Sequence, residues 1–377
     1  MINLSCEDKR FVEETWQKLK AKLEVTTIKS QNKIPYTTVN GVHTNQADPK
    51  RESIHLWTNG FWAGLNSLMY AETKKENFLK TAKASEAHLD RIYNNVFQID
   101  HDAGFLWHLS SCAIYRLTES KESLNRALLA SMMLSSRYNA DGNFIRAWNN
   151  VGREGWTIVD CLMNINLLYF ATEHFKDDRF KSIAMRYADM VMRDHVREDG
   201  STYHVVEHAL DKPDTVIGYP QGQGYSPFSC WSRGQAWVVY GFVLSYIHTG
   251  KKDYLETAKK TANYFIESVK KTNYLPLLDF KAPETPVYYD STAGAIACCG
   301  LIEIYKITGD KFYLENALNI LKAMEKEWVN YSLEEDSILQ MGSERYHNGR
   351  CHIPLIYGDF FFVEAILKLK GSTFLIW

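Results

Sequence analysis

Tyr246-Ile247-His248-Thr249-Gly250, continued by Tyr254, Leu255 and Ala258, returns as Tyr305-Lys306-Ile307-Thr308-Gly309 with Tyr313, Leu314 and Ala317. The same pattern stands upstream as Tyr70-x-x-Thr73 with Phe78, Leu79 and Ala82, and as Tyr115-x-x-Thr118 with Leu124 and Ala127. Thr172, Phe175, Phe180 and Ala184 keep its offsets of 3, 8 and 12. The copies lie 45 to 74 residues apart, a self-similarity that marks stacked supersecondary units. Each copy reads as a helix end, a tight turn and the start of a second helix, with Gly250 and Gly309 at the left-handed position that ends many helices.

The helices on either side of the turn differ in character. Asp160–Phe170, Ala236–Tyr246 and Ala293–Tyr305 are apolar nearly all round, as buried helices are. Asp253–Lys270 and Lys311–Glu327 carry apolar residues at helical spacing with Lys and Glu between them, as half-exposed helices do. Each repeat therefore pairs an inner helix with an outer one. Gly358–Leu369 supplies a sixth inner helix, and a helix over roughly 8–23 a sixth outer one. Six pairs with a terminal helix to close the gap predict an all-α (α/α)6 barrel rather than an open solenoid. No Pro/Gly/Ser-rich linker divides the chain, so residues 1–377 read as one domain.

Composition narrows the function. Lys+Arg is 43 against Asp+Glu 45, which argues against a nucleic-acid partner. The N-terminal stretch has early acidic residues and no apolar core of a secretory signal, and nowhere do 18 apolar residues run together, so no membrane association is expected. Seven cysteines without a C-x-x-C pair speak against zinc and disulfides and predict free, mostly buried thiols in a reducing cytoplasm. Phosphate loops, H-E-x-x-H and G-x-S-x-G are absent, while aromatic residues make up 13%.

In such a barrel the segments preceding the inner helices meet at one mouth. They carry Trp57-Thr58-Asn59-Gly60-Phe61-Trp62, Asp100-His101-Asp102, Asp160, Tyr219-Pro220-Gln221-Gly222, Trp231-Ser232-Arg233-Gly234-Gln235-Ala236-Trp237, Tyr289-Asp290 and Tyr357-Gly358-Asp359. Asp290 and Asp359 read as helix N-caps. Asp102 allows both a cap and a reacting group. Asp160 reads as reacting, because Ile158, Val159, Cys161, Leu162 and Met163 around it are apolar and a carboxyl so placed resists ionisation, which suits a general acid. Aromatic walls suit sugar faces, an arginine suits a carboxylate, and two carboxyls supply acid and base, which points to an enzyme on an acidic sugar.

W-T-N-G-F-W (57–62), H-D-x-G-F-L (101–106), I-R-A-W (145–148), D-C-L-x-N (160–164), W-S-R-G-Q-A-W (231–237), D-S-T-A (290–293) and G-D-F-F-F-x-E-A (358–365) together resemble the unsaturated glucuronyl hydrolases, glycoside hydrolase family 88. The resemblance implies an (α/α)6 barrel that hydrates the C4=C5 double bond of a Δ4,5-unsaturated uronic acid at the end of a lyase-generated oligosaccharide. It implies Asp160 as general acid/base, Asp102 as second carboxylate, and Trp57, His101, Trp148, His204, Tyr219, Gln221, Arg233 and Trp237 at the sugar. Asn348-Gly349-Arg350 stands where members accepting sulfated disaccharides carry Ser-x-Lys, which implies a sulfate contact from Asn348 and Arg350. Pro220 stands where well-studied members have His, and Gly224–Phe228 is extra chain at the rim. No metal or cofactor is implied, and a monomer or weak homo-oligomer is expected. The related family 105, with R-G-N-G-W in place of Arg233–Trp237, an (α/α)6 sugar epimerase and a non-catalytic sugar binder are the rival readings.

Overall fold

A computed structural model describes residues 2–51 and 53–377. Its inner ring consists of α2 (Phe61–Thr73), a π-helix (Gly104–Cys112) running into α4 (Ala113–Thr118), α7 (Asn166–Phe175) entered through the short α6 (Cys161–Asn164), α9 (Ser232–Thr249), α11 (Ser291–Thr308) and α13 (Ile356–Lys370). The outer ring is α3 (Glu76–Leu89), α5 (Lys121–Ser135), α8 (Asp178–Met190), α10 (Lys252–Lys270), α12 (Lys311–Trp328) and α1 (Cys6–Lys29). Each inner helix packs on the next and α13 packs back on α2, so the ring closes as an (α/α)6 barrel. Among the described residues no helix is long and apolar enough to cross a membrane, and all seven cysteines are free.

The repeat has a local physical cause. In four copies the Thr hydroxyl donates to the carbonyl four residues back (Thr73, Thr118, Thr249, Thr308) and accepts the N–H two residues ahead (Lys75, Ser120, Lys251, Asp310). One side chain thereby ties off the inner helix and steers the chain into the outer one. The residue between adopts the left-handed conformation in every copy. Gly250 and Gly309 do so freely, whereas Lys74, Glu119 and Lys176 do so at φ 54–57°, so glycine marks only two of the five turns.

Three expectations are adjusted. The N-terminal helix extends over Cys6–Lys29, and the third inner helix breaks at Ile165 into α6 and α7. Asp290 caps α11 by accepting the N–H of Thr292. Asp359 instead sits inside the first turn of α13, and its buried carboxylate accepts the N–H groups of Ile338 and Leu339. It holds an incoming loop in place, a role that helix-start position alone does not reveal.

The barrel interior is filled by aromatic rings that also form the floor of the mouth. Trp377 stacks parallel on Phe361 at 6.1 Å and meets Phe105 edge-on at 6.3 Å. Phe105 in turn lies 5.1 Å from Trp237 and 5.3 Å from Trp57. Such rings bury large areas in preferred edge and offset geometries, so the floor is stiff as well as apolar.

Small antiparallel sheets frame the mouth: β1 (Thr38–Val39) with β2 (Val42–His43), β3 (Tyr138–Asn139) with β4 (Phe144–Ile145), and β5 (Trp156–Ile158), β6 (Val205–His208) and β7 (Val216–Gly218) in one three-stranded sheet. The last of these positions the chemistry.

Candidate active site

β5 pairs with β6 so that Ile158 stands opposite Val205, and one step further the N–H of Val159 donates to the carbonyl of His204 at 3.2 Å. That register sets Asp160 and His204 side by side, with Nε2 of His204 3.3 Å from Oδ1 of Asp160. The other ring nitrogen, Nδ1, accepts the backbone N–H of Gln223 at 2.9 Å. A ring that accepts at Nδ1 carries its proton on Nε2, the nitrogen nearer Asp160, although the contact is not a hydrogen bond and both atoms are buried and unpaired among the described residues. Gly222 makes this approach possible, since a Cβ there would lie 2.2 Å from Nδ1.

The second carboxylate arrives on the turn before the π-helix. The N–H of Asp102 donates to Oδ1 of Asp100 at 2.9 Å, a local turn that leaves the Asp102 carboxylate free of any helix-capping bond. That carboxylate accepts from Nδ2 of Asn164 at 3.3 Å and lies 3.5 Å from Nε2 of His101. Burial, reinforced by the charges of Asp100 and Asp160, pushes the Asp102 carboxyl well above the ordinary carboxylate range, against the opposing pull of Asn164 and Arg137. Burial likewise lowers His101, whose ring meets Trp148 edge-on at 5.7 Å.

A cavity of about 530 Å³ opens over these groups, within the range that holds a small oligosaccharide end. Trp57, His101, Asp102, Trp148, Asp160, His204 and Gln221 all line it, so seven of the twelve residues singled out in the sequence are brought together. Arg233 lies beside it, in an adjoining hollow shared with Trp57 and Arg345. Its buried guanidinium is paired with Asp290, and its Nη2 donates to the carbonyl of Glu344. Only part of its donor set is left for a ligand, with Nε buried and unpaired.

Four residues stand elsewhere. Trp237 is fully buried behind Trp57, 6.4 Å from it, and supports the floor rather than lining the cavity. Tyr219 packs against Tyr203 with the rings tilted and 4.2 Å apart, outside the cavity lining. Asn348 lies on an exposed turn at φ 54°. Arg350 is bound to Glu344 at 2.7 Å and so presents no free cation.

The cations that line the cavity are instead Arg153 and Arg345, neither within ion-pair distance of a carboxylate among the described residues. Arg153 lies over the rings of Trp156 and Trp148, at 4.7 and 5.8 Å. Sequence reasoning passed over these arginines, Gln223 and Asn164. Only Asn164 carried a signal, four residues after Asp160 on a helical turn. Asp100, His101 and Asp102 also offer three ligand atoms within 4.8 Å of one another, the arrangement closest to a cation site among the described residues.

Known proteins share this architecture. The chain is 33% identical over 324 residues to an unsaturated chondroitin disaccharide hydrolase of Streptococcus pyogenes serotype M1, covering 83% of this chain and 80% of that one. The crystal structure of the unsaturated glucuronyl hydrolase of Bacillus sp. GL1 superposes with a TM-score of 0.87 at 29% identity, covering 94% of this chain and 97% of that one. An aspartate-to-asparagine mutant of the Streptococcus agalactiae unsaturated glucuronyl hydrolase, complexed with dGlcA-GalNAc6S, superposes with a TM-score of 0.82 at 26% identity over 98% of this chain and 94% of that one. Residues 27–272 match the profile of Glycosyl Hydrolase Family 88, and the chain belongs to that family.

Proposed function

We propose that this glycoside hydrolase is an unsaturated glucuronyl hydrolase, releasing the Δ4,5-unsaturated uronic acid from the non-reducing end of lyase-generated glycosaminoglycan oligosaccharides. The observation that carries the reading is the pairing of two carboxyls in one aromatic cavity: Asp160 beside His204, and Asp102 beside His101 and Asn164.

The chemistry follows from that arrangement. Asp160 donates its proton to C4 of the ring double bond, and positive charge develops at C5 and the ring oxygen. Ionised Asp102 stabilises that charge and orients a water. The water oxygen bonds to C5 while Asp160, now a carboxylate, takes the water's proton, so the group ends as it began. The C5 hemiketal opens by breaking the bond from C5 to the ring oxygen, and C1, left as a hemiacetal, releases the neighbouring sugar. The Nε2–H of His204 steadies Asp160 in its anionic phase. Trp57 and Trp148 offer ring faces to the sugar, and Arg233 offers donors to its carboxylate. Each of these residue roles is part of the proposal.

The chain works as one catalytic domain over 1–377, without nucleic-acid or membrane partners, as a monomer or weak homo-oligomer. Five buried free thiols support a reducing, cytoplasmic setting. The chemistry needs only water and carboxyls, so activity should survive EDTA. A loss on chelation that a divalent ion restores would contradict this and direct attention to Asp100, His101 and Asp102.

The test is substrate turnover by wild type and Asp160→Asn on unsaturated chondroitin and hyaluronan disaccharides. Loss of turnover in Asp160→Asn, with sugar binding retained, supports the reading. Turnover equal to wild type would overturn it.

A further inference from the structure

Asn164 follows Asp160 by four residues, so the two side chains leave the same face of one helical turn. The residue is fully buried. Its Oδ1 accepts the backbone N–H of Phe105 at 2.6 Å, which fixes the orientation of the amide and turns both Nδ2 hydrogens the other way. One is donated to Oδ1 of Asp102 at 3.3 Å and the other to the carbonyl of Asp160 at 3.2 Å. The two segments also meet backbone to backbone: a Cβ on Gly104 would come within 2.4 Å of the Asn164 Cα and carbonyl oxygen. A single amide thus bridges the turn before the π-helix, which carries Asp102, and the turn that carries Asp160.

We propose that Asn164 is a positioning residue for the hydration reaction: by donating to Asp102 and to the Asp160 carbonyl at once, it fixes how far the two carboxyls stand apart and which way Asp102 points. The inference rests on the assignment of Asp160 and Asp102 as the reacting pair. Asn164 does not line the cavity, so it acts through those two residues and not on the sugar.

The surroundings of Asp102 explain why one donor matters. Asp100 and His101 face it from its own segment, Asp160 from the α6 turn, Arg137 from beyond the end of α5, and His204 stands beyond His101 at the start of β6. Burial first, then Asp100 and Asp160, favours the protonated form; Asn164 and Arg137 favour the ionised one. Among these only the Asn164 amide both touches Asp102 and ties it to Asp160.

The experiment uses the full chain with Asn164→Ser, which is small enough to fit, and Asn164→Leu, which fills the space without a donor. The readouts are kcat and KM on an unsaturated disaccharide, the acid limb of kcat against pH, and the thermal midpoint. The expected result for folded Asn164→Ser is a kcat lower by roughly a hundredfold, as misplaced reacting groups give, with KM nearly unchanged. Its acid limb should move up by about one pH unit, the scale on which a lost charge-stabilising contact acts. A scaffold role alone would lower the midpoint and leave the acid limb where it is. A wild-type kcat and acid limb in Asn164→Ser would overturn the inference, as would a loss confined to KM, or an Asn164→Ser chain that does not fold. If Asp160→Asn keeps full activity, the underlying reading has failed. If Asp160→Asn is inactive while Asn164→Ser behaves as wild type, this inference alone has failed.

Discussion

Nε2 of His204 faces Oδ1 of Asp160 across 3.3 Å, and the contact is made by strand register: Ile158 opposite Val205 leaves the next two side chains no other way to fall. The Gln223 N–H on Nδ1 then decides which nitrogen bears the proton. Nε2 and Oδ1 are both buried and, among the described residues, make no hydrogen bond to one another or to any other group, so a small turn of either side chain brings a donor to the carboxyl that must act as acid and then as base.

Gly222→Ala tests this arrangement without touching either side chain. A Cβ 2.2 Å from Nδ1 must displace the ring or the loop, removing the bond that sets the tautomer. The expected outcome is a folded protein with kcat reduced by roughly a hundredfold. Wild-type kcat in Gly222→Ala would show that the Gln223 bond has no bearing on catalysis.

Asp102 gives a pH prediction. The mechanism needs it ionised, and burial with Asp100 and Asp160 lifts its proton affinity above that of an ordinary carboxyl. Activity is therefore present above that raised value and lost as pH falls through it. The acid limb of kcat should lie well above the ordinary range near about 4. A limb at that ordinary value would remove Asp102 from its role.

How far these features could be read from the chain depends on the range of the interactions behind them. The Tyr-x-x-Thr turn is local: Thr249 and Thr308 bond within their own turn, so the repeat and hence the barrel were legible. That Asp160, Asp102, Trp57 and His101 would meet at one mouth was legible because inner-helix starts must converge. Trp237 looked like a sugar contact because motif position does not say which face of a buried helix meets the cavity. Motif position offered Arg350 as a sulfate contact but does not reveal that Glu344, six residues earlier across an irregular turn, holds its guanidinium. Arg153 and Arg345 were missed for the same reason, being loop residues whose placement depends on contacts far along the chain.

Arg153 and Arg345 bring two guanidinium groups to the cavity lining. If Arg153 and Arg345 supply the cations, Arg153→Gln and Arg345→Gln should lower kcat/KM for sulfated disaccharides more than for unsulfated ones, by about tenfold for a charge-assisted contact. Arg350→Gln, with its guanidinium already held by Glu344, should leave that ratio unchanged. Steady-state kinetics on a sulfated and unsulfated chondroitin pair decides. A ratio that moves only in Arg350→Gln would restore the reading from sequence.

Asp359 concerns stability. Asp359→Ala strands the N–H groups of Ile338 and Leu339, at about 1–3 kcal/mol for each unpaired buried group, so the urea midpoint should fall clearly. Burial lifts its carboxyl to about 7 in the folded chain. The folded state thus holds this proton more tightly than the unfolded one, and its contribution to stability declines as pH rises toward that value. Asp359→Asn should flatten that decline. A pH slope identical to wild type would contradict the assignment.

The most direct measurement follows the ultraviolet absorbance of the conjugated double bond in an unsaturated chondroitin disaccharide, in deuterated buffer, with wild type and Asp160→Asn. Hydration through Asp160 predicts decay of the absorbance with wild type only, and one deuterium at C4 of the released acid. Release of the neighbouring sugar with the chromophore intact, or decay at the wild-type rate in Asp160→Asn, would contradict it.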